Sequence, residues 1–221
     1  MSSLASMFDQ AIAGWADEFR RSPINELAVS GRITPRALAL YLESLRILFD
    51  SSEGNLRAAA AKSRELGLHD LAEYFAHKAR EENGHAAWAK HDLNALPQGV
   101  ASGISSANAV LKLVELQSRA IVEHPYHYVG YSLLAESLTA QLGDEWLCAL
   151  SVCGYQPAQL SAIAKHLEAD REHTKQGLSE ADALWRAGYP EADSVLRVMG
   201  EAKDLFMEFC DEICSEACRT C

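Results

Sequence analysis

Long segments of helical periodicity, separated by proline and glycine, make up most of this sequence. One of them begins at Thr34-Pro35, an N-cap residue followed by proline at the first helical position, and ends near Gly67. The same signals predict further helices over about 7–20, 69–96, 107–123, 125–152, 158–186 and from 190 to the C-terminus. Long helices with short connections pack as antiparallel neighbours. The sequence therefore predicts an all-α, up-and-down bundle of about seven helices.

The predicted bundle is a single helical domain over 1–221. Its core helices span about 34–187, and a cysteine-bearing helix over 190–221 follows them. A chain of 221 residues is long enough to bury one sizeable core, and nothing in the composition requires two.

The overall charge excludes some classes of partner. With 31 acidic and 20 basic residues, the chain has a formal net charge of −11, which disfavours binding to nucleic acid or to an anionic membrane. No run approaches the roughly 18 consecutive apolar residues of a membrane span. Residues 1–9 also lack the basic region and apolar core of a signal peptide. We therefore expect a cytoplasmic protein with no nucleic-acid or membrane partner.

Cysteines repeat every four residues in the last predicted helix, at Cys210, Cys214 and Cys218, and Cys221 ends the chain. Such a stripe faces one side of a helix, where its thiols do not meet at disulfide geometry. Because free cysteine behaves as a small hydrophobe, we interpret the stripe as packing residues, with a soft-metal or redox role as the alternative. An acidic bundle with this apolar last helix is also compatible with a homodimer.

Two histidines and a carboxylate lie at helical spacing in the segment 158–186. His166, Asp170 and His173 are related as i, i+4 and i+7, which places them within about 60° of arc on one helix face. Imidazole and carboxylate are the ligands of non-haem iron and of similar metals. An exposed polar stripe is the alternative, because Lys165 and Glu168 are interleaved with the three. The spacing alone leaves both readings open.

A second group of candidates lies on the helix predicted over 69–96. Glu82 and His85 are three residues apart and share a face with Leu71 and Phe75, the arrangement used by carboxylate-bridged di-iron bundles. Glu81 lies at the margin of that face.

Glu136 is a lone carboxylate within the apolar stretch 130–140. Its burial is costly unless it is paired, protonated or bound to a metal.

An opposing carboxylate is expected from the first long helix, where Glu43, Asp50 and Glu53 compete. Antiparallel pairing about Gly67 places Glu53 level with the segment 81–85, and Glu53 lies nearest the apolar face. We therefore prefer Glu53. The predicted set holds two metal ions with seven ligands: Glu53, Glu82, His85, Glu136, His166, Asp170 and His173.

Three segments resemble the haem-oxygenase-like di-iron oxidases, iron-containing redox enzymes related in fold to the TenA thiaminases and to pyrroloquinoline-quinone synthase. They are EENGHAAW at 81–88 with Asp92-Leu93, GYSLLAE at 130–136, and the histidine and aspartate pattern at 166–173. The resemblance covers roughly residues 20–187. The first-helix glutamate is not carried by any such motif.

This resemblance implies a seven-helix haem-oxygenase-like bundle that need bind no haem. It implies a non-haem di-iron oxygenase or oxidase with two Fe(II)/Fe(III) ions per chain, O2 as co-substrate and a small-molecule substrate. Amino acids, amines and fatty acids are the implied substrates, and N-oxygenation, desaturation and oxidative C–C cleavage the implied outcomes. Such a reaction can also use an external electron donor.

A TenA-like non-redox hydrolase or a cofactorless helical bundle is the alternative function. A TenA-like activity needs a nucleophilic cysteine, and neither Cys148 nor Cys153 lies in sequence surroundings that match one.

Overall fold

A computed structural model of the chain describes residues 4–186 and 192–219. Nine α-helices lie in those ranges: α1 (Leu4–Arg20), α2 (Pro23–Val29), α3 (Pro35–Glu65), α4 (His69–Glu81), α5 (His85–Ala95), α6 (Asn108–Glu123), α7 (Tyr128–Val152), α8 (Ser161–Arg186) and α9 (Ala192–Arg219). Short 3-10 turns at Pro125–His127 and Pro157–Gln159 precede α7 and α8. The described residues contain no β-strand, so the predicted all-α architecture is confirmed.

The helix bounds follow the local signals closely. The Thr34 side chain accepts a hydrogen bond from the backbone N–H of Ala37, and Pro35 is the first residue of α3. Gly67 has a φ of 73°, a left-handed conformation that ends the helix at little cost. The chain then turns directly into α4, which makes α3 and α4 antiparallel neighbours.

One segment predicted as a single helix forms two helices. The helix expected over 69–96 is divided into α4 and α5, because Glu82 ends the first and Gly84 adopts a φ of 91° before the second begins. Asparagine followed by glycine is a turn signal, and here it overrides the helical periodicity around it. This division, together with α2, raises the helix number from the expected seven to nine in the described residues.

Helix α7 lies at the centre of the bundle. It contacts α8, α9, α6, α2 and α1, and side chains all around it are buried, from Tyr128 to Leu150. The main hydrophobic core extends from Phe8 on α1 to Ala217 on α9. Among the described helices, none combines the length and apolarity needed to cross a bilayer.

Helices α5 and α8 are joined by a buried cap. Asp92 on α5 is fully buried, and its carboxylate accepts hydrogen bonds from Ser161 Oγ at 2.5 Å and from the backbone N–H of Ala162 at 2.6 Å. These groups form the first turn of α8, whose orphan N–H donors and positive dipole end favour a carboxylate. The cap fixes where the two helices stand relative to each other.

The cysteine stripe on α9 packs as expected for its first two members. Cys210 is buried and Cys214 is half-buried against the core, whereas Cys218 is exposed. All five cysteines within the described ranges are free thiols. Cys221 and residues 187–191 lie outside the described residues.

Substitution of Gly130 by alanine should separate α7 from α9. A Cβ atom at Gly130 would collide with the backbone carbonyl of Val195, whereas one at Gly200, also helical, would meet no atom within 4 Å. We expect Gly130→Ala to lower the free energy of unfolding by about 1–3 kcal/mol. Gly200→Ala should instead leave it unchanged or raise it by up to about 1 kcal/mol. Urea unfolding of both variants measures the difference, and equal stabilities would contradict this packing.

Candidate metal centre

Three of the predicted ligands converge in the structure. One donor atom each from Glu82, His85 and His166 lies within 4.8 Å of the other two, and within the described ranges no other group of three or more potential ligands does so. Nδ1 of His85 is 3.1 Å from Glu82 Oε2. The two imidazole rings are 5.2 Å apart between centroids and nearly perpendicular. Two imidazoles and one carboxylate therefore face a common point.

The helix break at Gly84 creates part of this geometry. Glu82 caps α4 while His85 begins α5, so the two residues belong to different helices although only two residues separate them. The buried cap between α5 and α8 brings His166 to the same place from the opposite side.

Aromatic rings hold the two imidazoles in place. Phe49 on α3 stacks on His166 at 4.7 Å and packs edge-on against His85 at 5.8 Å. Trp88 stacks on His85 at 4.2 Å from the other face. Because these rings restrict rotation of the imidazoles and shield them from water, the ligand group is preorganised.

Asp170 lies behind His166 and is fully buried. Its Oδ2 is 2.6 Å from His166 Nδ1, and its Oδ1 is 3.6 Å from His173 Nδ1. A carboxylate on Nδ1 leaves Nε2 of His166 available to a metal and makes it a stronger donor. In the described structure Asp170 therefore orients His166 and stands just outside the group of three.

The protonation of these groups reflects their burial and mutual charge. Burial by itself disfavours the imidazolium, but the charge and hydrogen bond of Asp170, with the charges of Glu82 and Glu136, raise the pKa of His166 to about 9. Burial likewise opposes ionisation of Asp170, yet the paired histidines lower its pKa below the usual value. In the metal-free protein, the protonated imidazole of His166 therefore balances the negative charge of the neighbouring carboxylates.

A second set of predicted ligands gathers around a lysine. Lys78 on α4 is buried, and its Nζ lies 3.2 Å from Glu136 Oε1 and 3.4 Å from Glu81 Oε2. Nε2 of His173 lies 3.5 Å from Glu81 Oε1. Glu136 and His173 therefore face an ammonium group and a further carboxylate.

The lysine is charged in spite of its burial. Burial is the largest single influence and favours the neutral amine, but the charges and hydrogen bonds of Glu136 and Glu81 outweigh it, so the pKa of Lys78 is raised. Lys78 is not among the residues predicted for the site, although the same helical pattern includes it. Lys78 lies on the same apolar stripe as Leu71, Phe75 and Glu82, at helical spacing.

The first long helix supplies no carboxylate to either group. Glu53 is bound at 2.6 Å by Arg57 on the outer side of α3. Glu43 and Asp50, the alternatives, both pair with Arg46. The fully buried residues of α3 are apolar or hydroxylic, and Phe49 contacts both imidazoles. The structure therefore does not bring Glu53 to the other predicted ligands.

A cavity of about 170 Å³ reaches two of the three converging residues, Glu82 and His166. Glu136 lines it as well, whereas most of its wall is aliphatic and aromatic. Tyr128 and Tyr131 stack on each other along the wall, and α9 contributes Ala202, Phe206, Cys210 and Ile213. The cavity thus has a mostly apolar wall with three ionisable carboxylate and imidazole side chains.

The donor set fits one ion. A two-histidine, one-carboxylate group with open positions is typical of non-haem Fe(II) sites that react with O2. The outward ends of Glu82 and His166 also reach the cavity, so a substrate there would lie beside the ion. Glu136 Oε2 is buried without a hydrogen-bond partner among the described residues, and burial raises the pKa of Glu136 to about 7. A further positive charge nearby would stabilise its ionised form.

Comparisons with known proteins identify the fold through similar solved structures. No protein-family model and no curated protein matches the sequence. A domain of unknown function from Shewanella denitrificans, described as having a haem oxygenase-like fold, matches with a TM-score of 0.81 at 20% identity, covering 93% of this chain and 89% of that one. A CADD-like protein of unknown function from Nostoc punctiforme matches with a TM-score of 0.69 at 16% identity over 96% and 98% of the two chains.

A TenA homologue from Pseudomonas syringae pv. tomato also matches, with a TM-score of 0.68 at 14% identity over 93% of each chain. Identities this low show the fold alone. The chain therefore has the all-α, haem-oxygenase-like fold that the sequence predicted.

Metal-free protein should lose stability as the pH rises from 6.5 through 9. The pKa of His166 is raised in the folded state to about 9, so the stabilisation from its proton is complete below pH 6.5 and is lost as the pH passes 9. The loss should be on the order of 3 kcal/mol. Urea unfolding of chelator-treated protein across this range measures it. His166→Gln should show a flatter pH dependence, and equal slopes in the two proteins would refute the assignment.

Proposed function

We propose that this protein is a non-haem iron oxidoreductase that uses O2 to oxidise a small organic substrate with an apolar chain. The observation that carries the proposal is the convergence of Glu82, His85 and His166 beside a mostly apolar cavity that Glu82 and His166 line. The haem-oxygenase-like fold includes enzymes, and it supports the proposal without deciding the reaction.

The protein's own residues would bind, orient and shield the metal. Glu82, His85 and His166 would be its ligands, and Asp170 would hold His166 in the tautomer that presents Nε2. Phe49 and Trp88 would keep water from the imidazoles. Iron, when bound, supplies the capacity to activate O2, which side chains of this type lack. Because the metal must displace the proton of His166, iron binding should release a proton and weaken at low pH.

The cavity favours one of the substrate classes that the resemblance implies. Its wall is mostly aliphatic and aromatic, and its carboxylate and imidazole groups are Glu82, Glu136 and His166. A fatty acid or an alkyl amine fits this pattern, since its apolar chain would fill the channel and its polar head would face the ligands. A short polar amino acid would leave the channel walls without a partner.

A TenA-like hydrolase is not favoured by the cysteines. Cys148 is exposed and Cys153 bonds to the backbone carbonyl of Ala28, and neither lines the cavity. Cys210 does line it, but burial raises the pKa of its thiol well above the usual range. A thiol that stays protonated is a poor nucleophile.

Replacement of His85 should abolish tight iron binding. We expect His85→Ala to weaken anaerobic Fe(II) binding by more than the roughly 10–100-fold caused by loss of a residue that only supports a ligand. His91→Ala is the matched control, because His91 is an exposed histidine of the same helix. Calorimetric titration gives the affinities. Absence of Fe(II) binding by the wild type, or equal binding by both variants, would exclude this site.

Oxygen uptake by the iron-loaded protein should depend on the alkyl chain of the substrate. We expect uptake to rise with chain length in series of carboxylic acids and amines, with ascorbate as external reductant where needed. Ala202→Leu should shift the preference to shorter chains without changing iron content, because Ala202 lines the cavity from α9, which carries none of the three ligands. Uptake only with short polar amino acids would contradict the assigned substrate class.

A further inference from the structure

Lys78 is the one strongly buried lysine among the described residues, and its position is unusual. Its side chain is 2% exposed and reaches the bundle interior between α4 and α7. The groups around its ammonium are Glu136 and Glu81, with His173 next to Glu81. Two carboxylates and an imidazole are a ligand set for a metal ion. Here both carboxylates contact a lysine instead, and the imidazole contacts one of those carboxylates.

We propose that the ammonium group of Lys78 takes the place of a second metal ion, so that this protein binds one divalent ion per chain rather than two. The inference rests on the proposed function only in that a first ion is bound by Glu82, His85 and His166. It revises the two-ion expectation drawn from the sequence.

The charge balance of the interior supports a single ion. Five carboxylates are buried among the described residues, and two of them have partners elsewhere: Asp92 caps α8 and Asp182 pairs with Arg186. The other three belong to the candidate site, at 8% exposure for Glu82, 5% for Glu136 and 0% for Asp170. One divalent ion and one ammonium neutralise these three when all are ionised and the histidines are neutral. A second divalent ion would leave two positive charges uncompensated by buried groups, and the half-buried Glu81 would balance only one of them. Uncompensated charge in a bundle interior is strongly unfavourable.

The position of the ammonium also opposes a second ion. A divalent ion bound to Glu136 would lie about 2 Å from a carboxylate oxygen. Nζ of Lys78 already lies 3.2 Å from Oε1 of that carboxylate. The two cations would then be close neighbours in a medium of low dielectric constant, where like charges repel far more than in water.

The first ion needs no ligand from the lysine's neighbours. Glu82, His85 and His166 form a complete two-histidine, one-carboxylate group. Glu136 and His173 are therefore released from the ligand role that the sequence predicted for them. They hold Lys78 instead, directly in the case of Glu136 and through Glu81 in the case of His173.

Metal stoichiometry tests the proposal. Wild-type protein titrated anaerobically with Fe(II), and separately with Mn(II), should saturate at one ion per chain by elemental analysis. Lys78→Glu removes the cation and adds a carboxylate, so we expect it to saturate at two ions. Lys90→Glu makes the same charge change at an exposed position of α5 and should remain at one. Lys78→Met should bind a second ion at least tenfold more weakly than Lys78→Glu.

Electron paramagnetic resonance of the Mn(II)-loaded proteins gives a readout independent of activity. The wild type should show the signal of an isolated Mn(II) ion, and Lys78→Glu the broadened signal of two coupled ions. Circular dichroism checks that each variant is folded.

The outcomes separate this inference from the proposed function. Two ions in the wild type would overturn the role of Lys78 and leave the proposed function intact, whereas no ion would overturn both. A folded Lys78→Glu variant that still binds one ion would also overturn the role of Lys78. The wild-type stoichiometry tests the number of ions without any variant, and the two Lys78 variants then test whether the ammonium sets that number.

Discussion

Buried carboxylates in the middle of the bundle are the constraint on which the rest of this structure depends. Glu82, Asp170 and Glu136 lie inside the bundle, and none is exposed by more than 8%. Ionised carboxylates tolerate such burial only beside cations or strong donors. The fold therefore has to bring cations to them, and it does so in two ways: through Lys78 on α4 and through the histidines of α5 and α8.

The break at Gly84 is how the chain meets this requirement. In a continuous helix over 69–96, Glu82 and His85 would be fixed on one straight helix axis. The left-handed conformation of Gly84 changes the direction of the chain before α5. Asp92 then bonds α5 to the first turn of α8. A local departure from helical periodicity thus coincides with the candidate metal centre, as is expected where local preference and function compete.

Local sequence signals account for the fold better than for the site. Proline, glycine and capping residues predicted where α3 begins and ends, and the resemblance predicted the haem-oxygenase-like architecture. The convergence of Glu82, His85 and His166 was also predictable from helical spacing. The position of Glu53 was not predictable. Antiparallel pairing predicts how far along α3 a residue lies but not which way its side chain points around the helix axis, and the side chain of Glu53 points towards Arg57. The burial of Lys78 was not predictable, because a lysine is normally solvated and its buried partner on α7 is known only from the structure.

The candidate site has two halves, one around Glu136 and one around Glu82, and they differ in whether their positive charge can be exchanged. Around Glu136 the cation is covalently attached, because it is the ammonium of Lys78, whose pKa the charges of Glu136 and Glu81 raise against the effect of burial. Around Glu82 it is exchangeable: His166 holds a proton in the metal-free protein and would give it up to an incoming ion. The metal-free chain can therefore fold with its interior nearly neutral, and only the half around Glu82 and His166 would change on binding an ion. Under the proposed function, this asymmetry would confine metal exchange, and the proton release coupled to it, to the part of the cavity wall formed by Glu82 and His166.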